Sequence, residues 1–298
     1  MPDRRESEII SGLDNVDHML IYEKAQKELG DGPMRFAPID EKTTAEQIAA
    51  LSEEEKACFD ELKERWNKKD RGHKYSDAMI LRFARCSPGP KKFAVEPAFK
   101  VMKNFNPRYL ELHAEKLEDQ LLTKTLFVLP HLKSNEGHDV FYMKPARYWP
   151  KKTSTELIID NLVYCMESMV EKQKSCEEGI AFVANMNDWS FSNFSVSYCS
   201  QFMMTLQGRV PVRVRMFLIV NPPSWFGKIW SIMKPMLSAD FRKKVHIIPE
   251  SDLPNFLSGD FEKDLPDDFE CGGADTEGLV KDYVAYRKYI EAAKSNGN

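Results

Sequence analysis

Residues 210–237 read VPVRVRMFLIVNPPSWFGKIWSIMKPML and combine two hydrophobic patterns. Up to residue 220, apolar side chains alternate with Arg213 and Arg215, which predicts a half-buried strand that carries both arginines on one side. From residue 224 onward almost every side chain is apolar, and only a narrow polar stripe remains. A helix of this composition is usually buried in a core. The alternative is a lid whose inner face covers an apolar cavity and whose outer face touches a membrane.

The charge of the chain is distributed unevenly around this stretch. Residues 201–246 contain eight basic residues and one acidic residue, whereas residues 247–298 contain twelve acidic and five basic residues. A basic surface of this kind favours phosphates or anionic lipid. Equally, the two segments could neutralise one another in the fold, so charge alone leaves both interpretations open.

The flanking sequence alternates between strand and helix patterns. Strands are predicted at residues 125–129, 140–144, 180–184, 210–220 and 245–248, and helices at residues 155–172, 195–208 and 224–237. This alternation predicts an α/β fold with a mostly parallel sheet and right-handed crossovers. Residues 43–115 show helical patterns with little strand signal, and they begin at a capping box formed by Thr43 and Glu46.

These patterns divide the chain into four expected segments. They are an N-terminal arm with one helical stretch (1–42), a helical module (43–115), an α/β domain (116–275) and a C-terminal helix and tail (276–298).

Composition excludes several classes of protein. The longest apolar runs have five residues, whereas a membrane-spanning helix needs about 20. The first eight residues are charged and no apolar segment follows them, so we expect no secretory signal. The six cysteines are widely spread and form no CxxC pair, which is typical of reduced thiols in a cytoplasmic protein.

The sequence contains no familiar catalytic motif. The sequence lacks the glycine-rich phosphate loops, the GxSxG nucleophile elbow and the HExxH zinc motif, and its histidines are isolated. We therefore expect no catalytic residues, no metal, no cofactor and no nucleic-acid partner. An α/β enzyme whose site converges from scattered residues is a weaker alternative.

Five blocks of the chain resemble, in order, the sequence signature of the CRAL-TRIO lipid-binding family. They are ILRFAR at 80–85, KFAV at 92–95, GIAFVANMNDWSFS at 179–192, PVRVR, VNPP and MKPML between 211 and 237, and the LP and GG pairs at 253–254 and 272–273. The third block is similar to the tocopherol- and retinaldehyde-transfer branch, and the fourth also resembles phosphatidylinositol transfer proteins.

The resemblance implies an N-terminal all-α module followed by a CRAL-TRIO α/β domain. In such a domain a mostly parallel sheet floors an apolar pocket, and a mobile helix, here within residues 223–237, gates it. The implied function is to bind one hydrophobic molecule, such as a phospholipid or a tocopherol-, retinoid- or sterol-like compound, and to carry it between membranes. We expect a cytoplasmic monomer that associates transiently with anionic membrane surfaces.

Residues of a ligand pocket and its gate follow from this resemblance. They are Phe182, Trp189, Phe202, Phe217, Phe226, Ile229, Trp230, Met233 and Lys234. Lys234 matches the lysine that phosphatidylinositol transfer proteins use at the lipid headgroup. The glutamate that those proteins place on the preceding helix falls near Phe202, which puts inositol-headgroup binding inside the pocket in question.

The resemblance also implies a patch that binds phosphoinositides or other anionic lipids. Its expected residues are Arg213, Arg215, Arg242, Lys243 and Lys244. An alternative of a different class stays open, because the same fold also serves as a lipid-sensing regulatory or protein-interaction module without transfer activity.

Overall fold

The N-terminal part of the chain is helical. The computed structural model describes residues 9–10, 18–38, 42–89 and 91–296, so much of the predicted N-terminal arm lies outside the described residues. The helices are α1 (His18–Leu29), α2 (Asp31–Met34), α3 (Thr44–Ala49), α4 (Glu53–Asn67), α5 (Asp77–Arg85), α6 (Val95–Asn104) and α7 (Ala114–Leu121), and two short strands, β1 (Ile9–Ile10) and β2 (Lys74–Tyr75), pair in parallel. The predicted capping box at Thr43 and Glu46 is present, and Ser52 and Glu55 form a second one at the start of α4.

A six-stranded sheet forms the second half of the fold. Its strands are β3 (Leu126–Ser134), β4 (Asp139–Met143), β5 (Ile180–Asn185), β6 (Val214–Val220), β7 (Val245–Ile248) and β8 (Leu257–Ser258), in the order β7-β6-β5-β4-β3-β8. The four strands β4 to β7 pair in parallel, whereas β3 is antiparallel to both of its neighbours. The predicted α/β fold with a mostly parallel sheet is therefore confirmed.

Helices connect the parallel strands, as crossovers between parallel strands require. They are α8 (Thr155–Met169) and α9 (Gln173–Glu178) before β5, α10 (Val196–Leu206) before β6, and α11 (Phe226–Met233) and α12 (Ala239–Arg242) before β7, followed later by α13 (Phe261–Asp264) and α14 (Thr276–Asn296). Among the described residues, no helix is both long and apolar enough to cross a bilayer.

Several predicted elements are shorter in the structure, and proline explains two of these differences. The strand predicted from residue 210 begins at Val214, because Pro211 lacks an amide hydrogen and the chain bends as the Val212 amide donates to the Val210 carbonyl. The helix predicted over 224–237 ends at Met233, and a 3₁₀ turn at Lys234–Met236 follows. Pro235 explains this end, because its ring disfavours continued α-helix.

The register of the sheet aligns three aromatic residues on one face. Phe141 pairs with Phe182, and Phe182 pairs with Phe217. The Phe182 ring centroid lies 5.0 Å from that of Phe141 and 5.5 Å from that of Phe217. Phe202 on α10 packs edge-on against Phe217. This face of the sheet, covered by α10, is therefore the side on which a pocket can form.

The C-terminal helix α14 packs against the N-terminal helices α1, α2 and α7. Its Arg287 is buried and forms a bidentate ion pair with Glu171, which follows α8. A second buried ion pair joins Arg82 on α5 to Glu167 on α8. Both pairs connect the helical part of the chain to the sheet domain, because α8 covers the sheet at β3.

Candidate functional site

An apolar cavity lies between the sheet, helix α10 and helix α11. Its empty space, including the mouth, is about 700 Å³, and about 70 Å³ of it is open to the centres of water-sized molecules. Twenty residues line it, and none of them carries a charge. The side chains on its sheet side and on the two helices are Met143, Ala184, Phe217, Ile219, Tyr198, Phe202, Met203, Phe226, Trp230 and Met233.

The structure brings six of the nine predicted pocket residues to this cavity. They are Trp189, Phe202, Phe217, Phe226, Trp230 and Met233. On α11, Phe226, Trp230 and Met233 fall at i, i+4 and i+7 and so share one helical face. The apolar side chains of this helix therefore form part of a cavity wall.

Three predicted pocket residues do not line the cavity. Phe182 lies beside Phe217 on the same face of the sheet, with its ring nearly parallel to that of Phe217. Ile229 is buried beside the lining face of α11. Lys234 is exposed at the C-terminal end of α11. In this conformation the lysine therefore lies outside the space that a ligand would fill.

Sequence reasoning missed several lining residues that come from loops. Tyr148 follows β4, Asn193 and Phe194 follow Trp189, and Phe241 belongs to α12. A weak signal existed, because Tyr148 lies just beyond the carboxyl end of a parallel strand, where α/β sheets place their ligands.

The polar groups of the cavity wall fall into two classes. The side chain of Asn193 is fully used, since it donates to the carbonyls of Ala146 and Tyr148 and accepts from the amide of Ser190. By contrast, the buried Nε1 of Trp189 has no hydrogen-bond partner among the described residues. Burial also raises the pKa of the Tyr198 hydroxyl well above 10, so this group stays neutral.

Side-chain amides hold both ends of the gate segment, which we define as residues 222–236. At the N-terminal end, Asn221 donates from Nδ2 to Glu250 Oε2 over 3.0 Å and accepts from the Glu250 amide over 2.8 Å. At the C-terminal end, Gln207, the residue after α10, donates to the Met236 carbonyl and accepts from the Ser238 amide. The gate segment is thus fixed at two points that flank α11.

A basic groove lies beside the C-terminal end of the gate segment, and its empty space, including the part open to solvent, is about 1500 Å³. Among the predicted patch residues, Arg213, Arg215 and Lys244 line it, whereas the exposed Arg242 and Lys243 do not. Burial, followed by the charges of Arg215 and Arg213, lowers the pKa of Lys244. Arg209 also lines the groove, although it was not among the predicted patch residues.

Arg213 and Arg215 play different parts in this groove. Arg213 is only 7% exposed, and its guanidinium donates to the carbonyls of Ser87 over 2.7 Å and Gly89 over 3.1 Å. Arg215 is exposed, and its Nε donates to the carbonyl of Glu178. Arg213 therefore fixes the loop after α5, while Arg215 presents its charge to solvent.

The cavity and the groove share a wall. Leu237 and Phe241 line both of them, and both residues are buried. A displacement of the end of the gate segment would therefore change the cavity and the groove together.

Large apolar side chains are exposed on the elements that surround the cavity. They are Trp149, Phe191, Val196, Met204 and Ile232. Phe191 is 70% exposed, and its ring lies 6.0 Å from Phe194 and 6.1 Å from Trp225. Exposed apolar surface of this extent is typical of a site that contacts a membrane or another protein.

Comparisons with known proteins place this architecture in a family. Human alpha-tocopherol transfer protein-like is 27% identical over 204 residues, which cover 61% of this chain and 58% of that protein. Rat clavesin-1 is 22% identical over 209 residues, covering 64% of this chain and 58% of that protein. Mouse tyrosine-protein phosphatase non-receptor type 9 is 23% identical over 148 residues, covering 50% of this chain but only 25% of the phosphatase. The chain thus spans less than two thirds of each of these relatives.

Structure comparison supports the same assignment at the level of the fold. The crystal structure of Sfh5 matches with a TM-score of 0.52 at 14% sequence identity, covering 83% of this chain and 99% of Sfh5. The family model of the CRAL/TRIO domain matches residues 123–273, which is half of the chain. The chain therefore belongs to the CRAL/TRIO domain family.

Proposed function

We propose that this protein binds one hydrophobic lipid-like molecule in the apolar cavity and transfers it between membranes, without a catalytic step. The observation that carries the proposal is a cavity whose wall has no charged residue and whose outer side is a single helix, α11. Burial of apolar area at about 25 cal/mol per Å² holds such a ligand strongly. The name of the human relative refers to tocopherol transfer, and we extend transfer of a hydrophobic cargo to this chain.

Ligand entry requires α11 to move. Only about 70 Å³ of the cavity admits the centres of water-sized molecules, and Phe226, Trp230 and Met233 line its α11 side. The tethers at Asn221 and Gln207 flank α11, and outward motion of the helix breaks the hydrogen bonds of Gln207 at the C-terminal end of the gate segment. When α11 moves outward, these three side chains lose their present contacts in the cavity and contact the ligand instead.

Membrane docking uses two kinds of surface. Phe191 and Ile232 are exposed apolar residues near the cavity, suited to the interfacial region of a bilayer. Arg215, Lys244, Arg242 and Lys243 supply positive charge for phosphoinositides or other anionic lipids, each contributing about 1 kcal/mol near the surface. Arg213 acts indirectly, because it positions the loop that borders the groove. We also propose that the protein is a cytoplasmic monomer that binds membranes transiently.

Two measurements test this proposal. Native mass spectrometry of the purified chain, followed by solvent extraction, should reveal one hydrophobic molecule per protein. Incubation with donor and acceptor vesicles should then speed the exchange of that molecule well above its spontaneous rate. A chain that stays free of ligand after incubation with mixed-lipid vesicles, and that speeds no exchange, would contradict the proposal.

A second candidate function is a lipid-sensing or protein-interaction module without transfer activity. The nearly filled cavity favours it, because a module whose aromatic side chains occupy its own pocket need not release cargo. The vesicle assay separates the two functions: a carrier accelerates exchange at substoichiometric amounts, whereas a sensor binds vesicles or a partner and leaves the exchange rate unchanged.

A further inference from the structure

A pair of cysteines lies where the N-terminal helices meet the sheet domain. Cys86 follows α5, and Cys176 lies on α9, 90 positions later in the chain. Their Sγ atoms are 3.4 Å apart, and the Cys86 Sγ also lies 3.1 Å from the Cys176 carbonyl oxygen. Both cysteines are free thiols and are buried, with exposed fractions of 2% and 3%. The fold therefore brings two reduced thiols into direct contact.

The distance between the two sulfur atoms suits a disulfide. A disulfide bond is about 2.05 Å long, so the atoms need to approach by only about 1.4 Å. The helices α5 and α9 pack against each other, and rotation of the two side chains with a small shift between these helices can close the gap. Bond formation thus requires no rearrangement of the fold.

Ion pairs hold the elements that carry the two cysteines. The residues next to them in the chain, Arg85 and Glu177, form one pair, with Nε 3.2 Å from Oε1. A second, buried pair joins Arg82 on α5 to Glu167 on α8. The contact between the sulfur atoms therefore belongs to a fixed junction and does not depend on one flexible side chain.

Opposing effects set the reactivity of the two thiols. Burial, followed by the contact with Cys176, raises the pKa of the Cys86 thiol well above its usual value, whereas the charge of Arg82 lowers it. The charge of Arg213 also acts on both sulfur atoms. The thiolate is the reactive form of cysteine, and nearby arginines stabilise it. The pair is therefore unreactive while the junction is closed and reacts when local opening admits solvent.

We propose that Cys86 and Cys176 form an oxidative modification site, at which hydrogen peroxide converts the two thiols to a disulfide that joins the N-terminal helices to the sheet domain. One thiolate attacks the peroxide: an S–O bond forms, the O–O bond breaks and hydroxide leaves. The second thiolate attacks the resulting sulfenic sulfur: the S–S bond forms, the S–O bond breaks and a second hydroxide leaves. The hydroxides take up the two thiol protons as water, and the sulfur atoms lose the two electrons that the peroxide gains.

The disulfide would connect two distant parts of the chain, 90 positions apart. A cross-link over such a long loop stabilises a protein mainly because it restricts the unfolded chain. Oxidation therefore locks the N-terminal helices onto the sheet domain. Neither cysteine lines the apolar cavity, so this inference is independent of the proposed lipid binding.

Treatment with a small molar excess of hydrogen peroxide, followed by peptide mapping without reductant, tests the proposal. Cys271→Ser is the suitable starting protein, because the exposed Cys271 would otherwise link molecules to one another. We expect one linked peptide that contains both Cys86 and Cys176. The thermal midpoint of the oxidised sample should be about 5–10 °C higher without dithiothreitol than with it, the usual effect of a disulfide across a long loop.

Substitutions identify the cysteines responsible. Cys86→Ala and Cys176→Ala, each made in the starting protein, should lack both the linked peptide and the effect of dithiothreitol on the midpoint. Either variant is sufficient for the test if the other fails to fold. Cys58→Ala is the matched control, because it removes another buried thiol of the N-terminal helices and should keep both signals.

Several results would overturn the proposal. They are the absence of the linked peptide in a folded, peroxide-treated chain, a disulfide that joins other cysteines, and a linked peptide with no dithiothreitol-sensitive rise of the midpoint. A linked peptide that forms only after unfolding in urea would also overturn it, because the junction would then not open in the native protein.

Discussion

The side-chain amide of Gln207 donates to the carbonyl oxygen of Met236 over 3.1 Å. The same side chain accepts from the Ser238 amide over 2.8 Å. Gln207 follows α10, which forms the inner wall of the cavity, and Met236 ends the gate segment. One glutamine therefore links the fixed wall of the cavity to the end of its movable wall.

We expect Gln207→Ala to speed ligand exchange. The substitution removes a local hydrogen bond to the Met203 carbonyl and the two hydrogen bonds that reach Met236 and Ser238. At about 0.5–1.5 kcal/mol net for each of the latter two, release from the cavity should accelerate by about tenfold if both must break when the gate segment opens. Release can be measured as the rate at which a bound fluorescent lipid leaves the protein for excess vesicles. Gln201→Ala is the matched control, because Gln201 lies on α10 and its side chain has no hydrogen bond to the gate segment among the described residues. Equal release from both variants would mean that opening does not disturb this end of the segment.

The helix α11 contains one glycine that weakens it. Gly227 lies within the first turn of α11, and a Cβ added there would meet no atom within 4 Å. Gly227→Ala should stabilise the helical conformation by about 0.5–1 kcal/mol without a steric clash. If the gate helix must unwind or bend to open, release of a bound fluorescent lipid should slow two- to fivefold, since about 1.4 kcal/mol corresponds to a factor of ten in rate.

Gly227→Ala also tests whether α11 moves as a rigid body. In that case the helix stays folded throughout, and the substitution would leave the release rate unchanged while still raising the thermal midpoint slightly. Circular dichroism on the same samples provides that second measurement.

Much of the fold follows from local patterns in the sequence. The run 180–185 is apolar at every position but the last, and the structure buries all of it as β5. The apolar run 216–220 likewise falls within β6, one of the two central parallel strands. Patterns of this kind depend only on residues close together in the chain, so they can be recognised without knowledge of the tertiary structure.

The details of the site depend on contacts between residues that are distant in the chain. Arg213 is buried because its guanidinium reaches carbonyls 126 and 124 positions earlier, at Ser87 and Gly89. The tether from Asn221 to Glu250 and the unpaired Nε1 of Trp189 are likewise products of packing. Sequence spacing could identify these residue types but not their partners.

The division into an N-terminal arm, a helical module, an α/β domain and a C-terminal tail stays a prediction.

Phe191 offers a direct test of membrane docking. Its side chain is 70% exposed, and inserting it into a bilayer should contribute about 1.5–3 kcal/mol. Phe191→Ala should therefore weaken binding to vesicles of neutral phosphatidylcholine by about tenfold or more. Leu122→Ala is a suitable control, because Leu122 is 37% exposed but follows α7, away from the cavity. Equal losses in both variants would show that the contact with the membrane is not localised at the cavity.

Variants of Arg215 and Arg213 should separate the effect of surface charge on membrane binding from the effect of a buried side chain on stability. Arg215→Glu changes an exposed charge, so we expect it to weaken binding to phosphoinositide vesicles by at least fivefold, from about 1 kcal/mol or more per charge, with little change in thermal stability. Arg213→Ala leaves the Ser87 and Gly89 carbonyls without their donor and should cost about 1–3 kcal/mol of stability. Unfolding in urea and vesicle sedimentation measure the two effects. A reversed pattern, with Arg213 affecting only vesicle binding, would show that it contacts lipid directly.

Lys244 should give the groove a pH-dependent affinity for anionic membranes. Burial lowers its pKa below 10.5, and the nearby charges of Arg215 and Arg213 lower it further, against a smaller opposing effect of Asp240. As pH rises through this lowered pKa, the folded protein loses the Lys244 charge before exposed lysines lose theirs, and vesicle binding should weaken. Stability moves the opposite way, since the unfolded chain binds more protons in that range and stability rises with pH.

Binding to phosphoinositide vesicles, measured between about pH 8 and 10, can test this. The phosphate charge stays constant in that range, because the pH lies about two units or more above the second phosphate pKa of about 6. Lys244→Arg keeps the charge throughout this range, because an arginine side chain has a pKa above about 12. We therefore expect the variant to bind with a flatter pH profile than the wild type. If both proteins lose affinity in parallel, the decline comes from other groups, and Lys244 does not contact the anionic surface in its charged form.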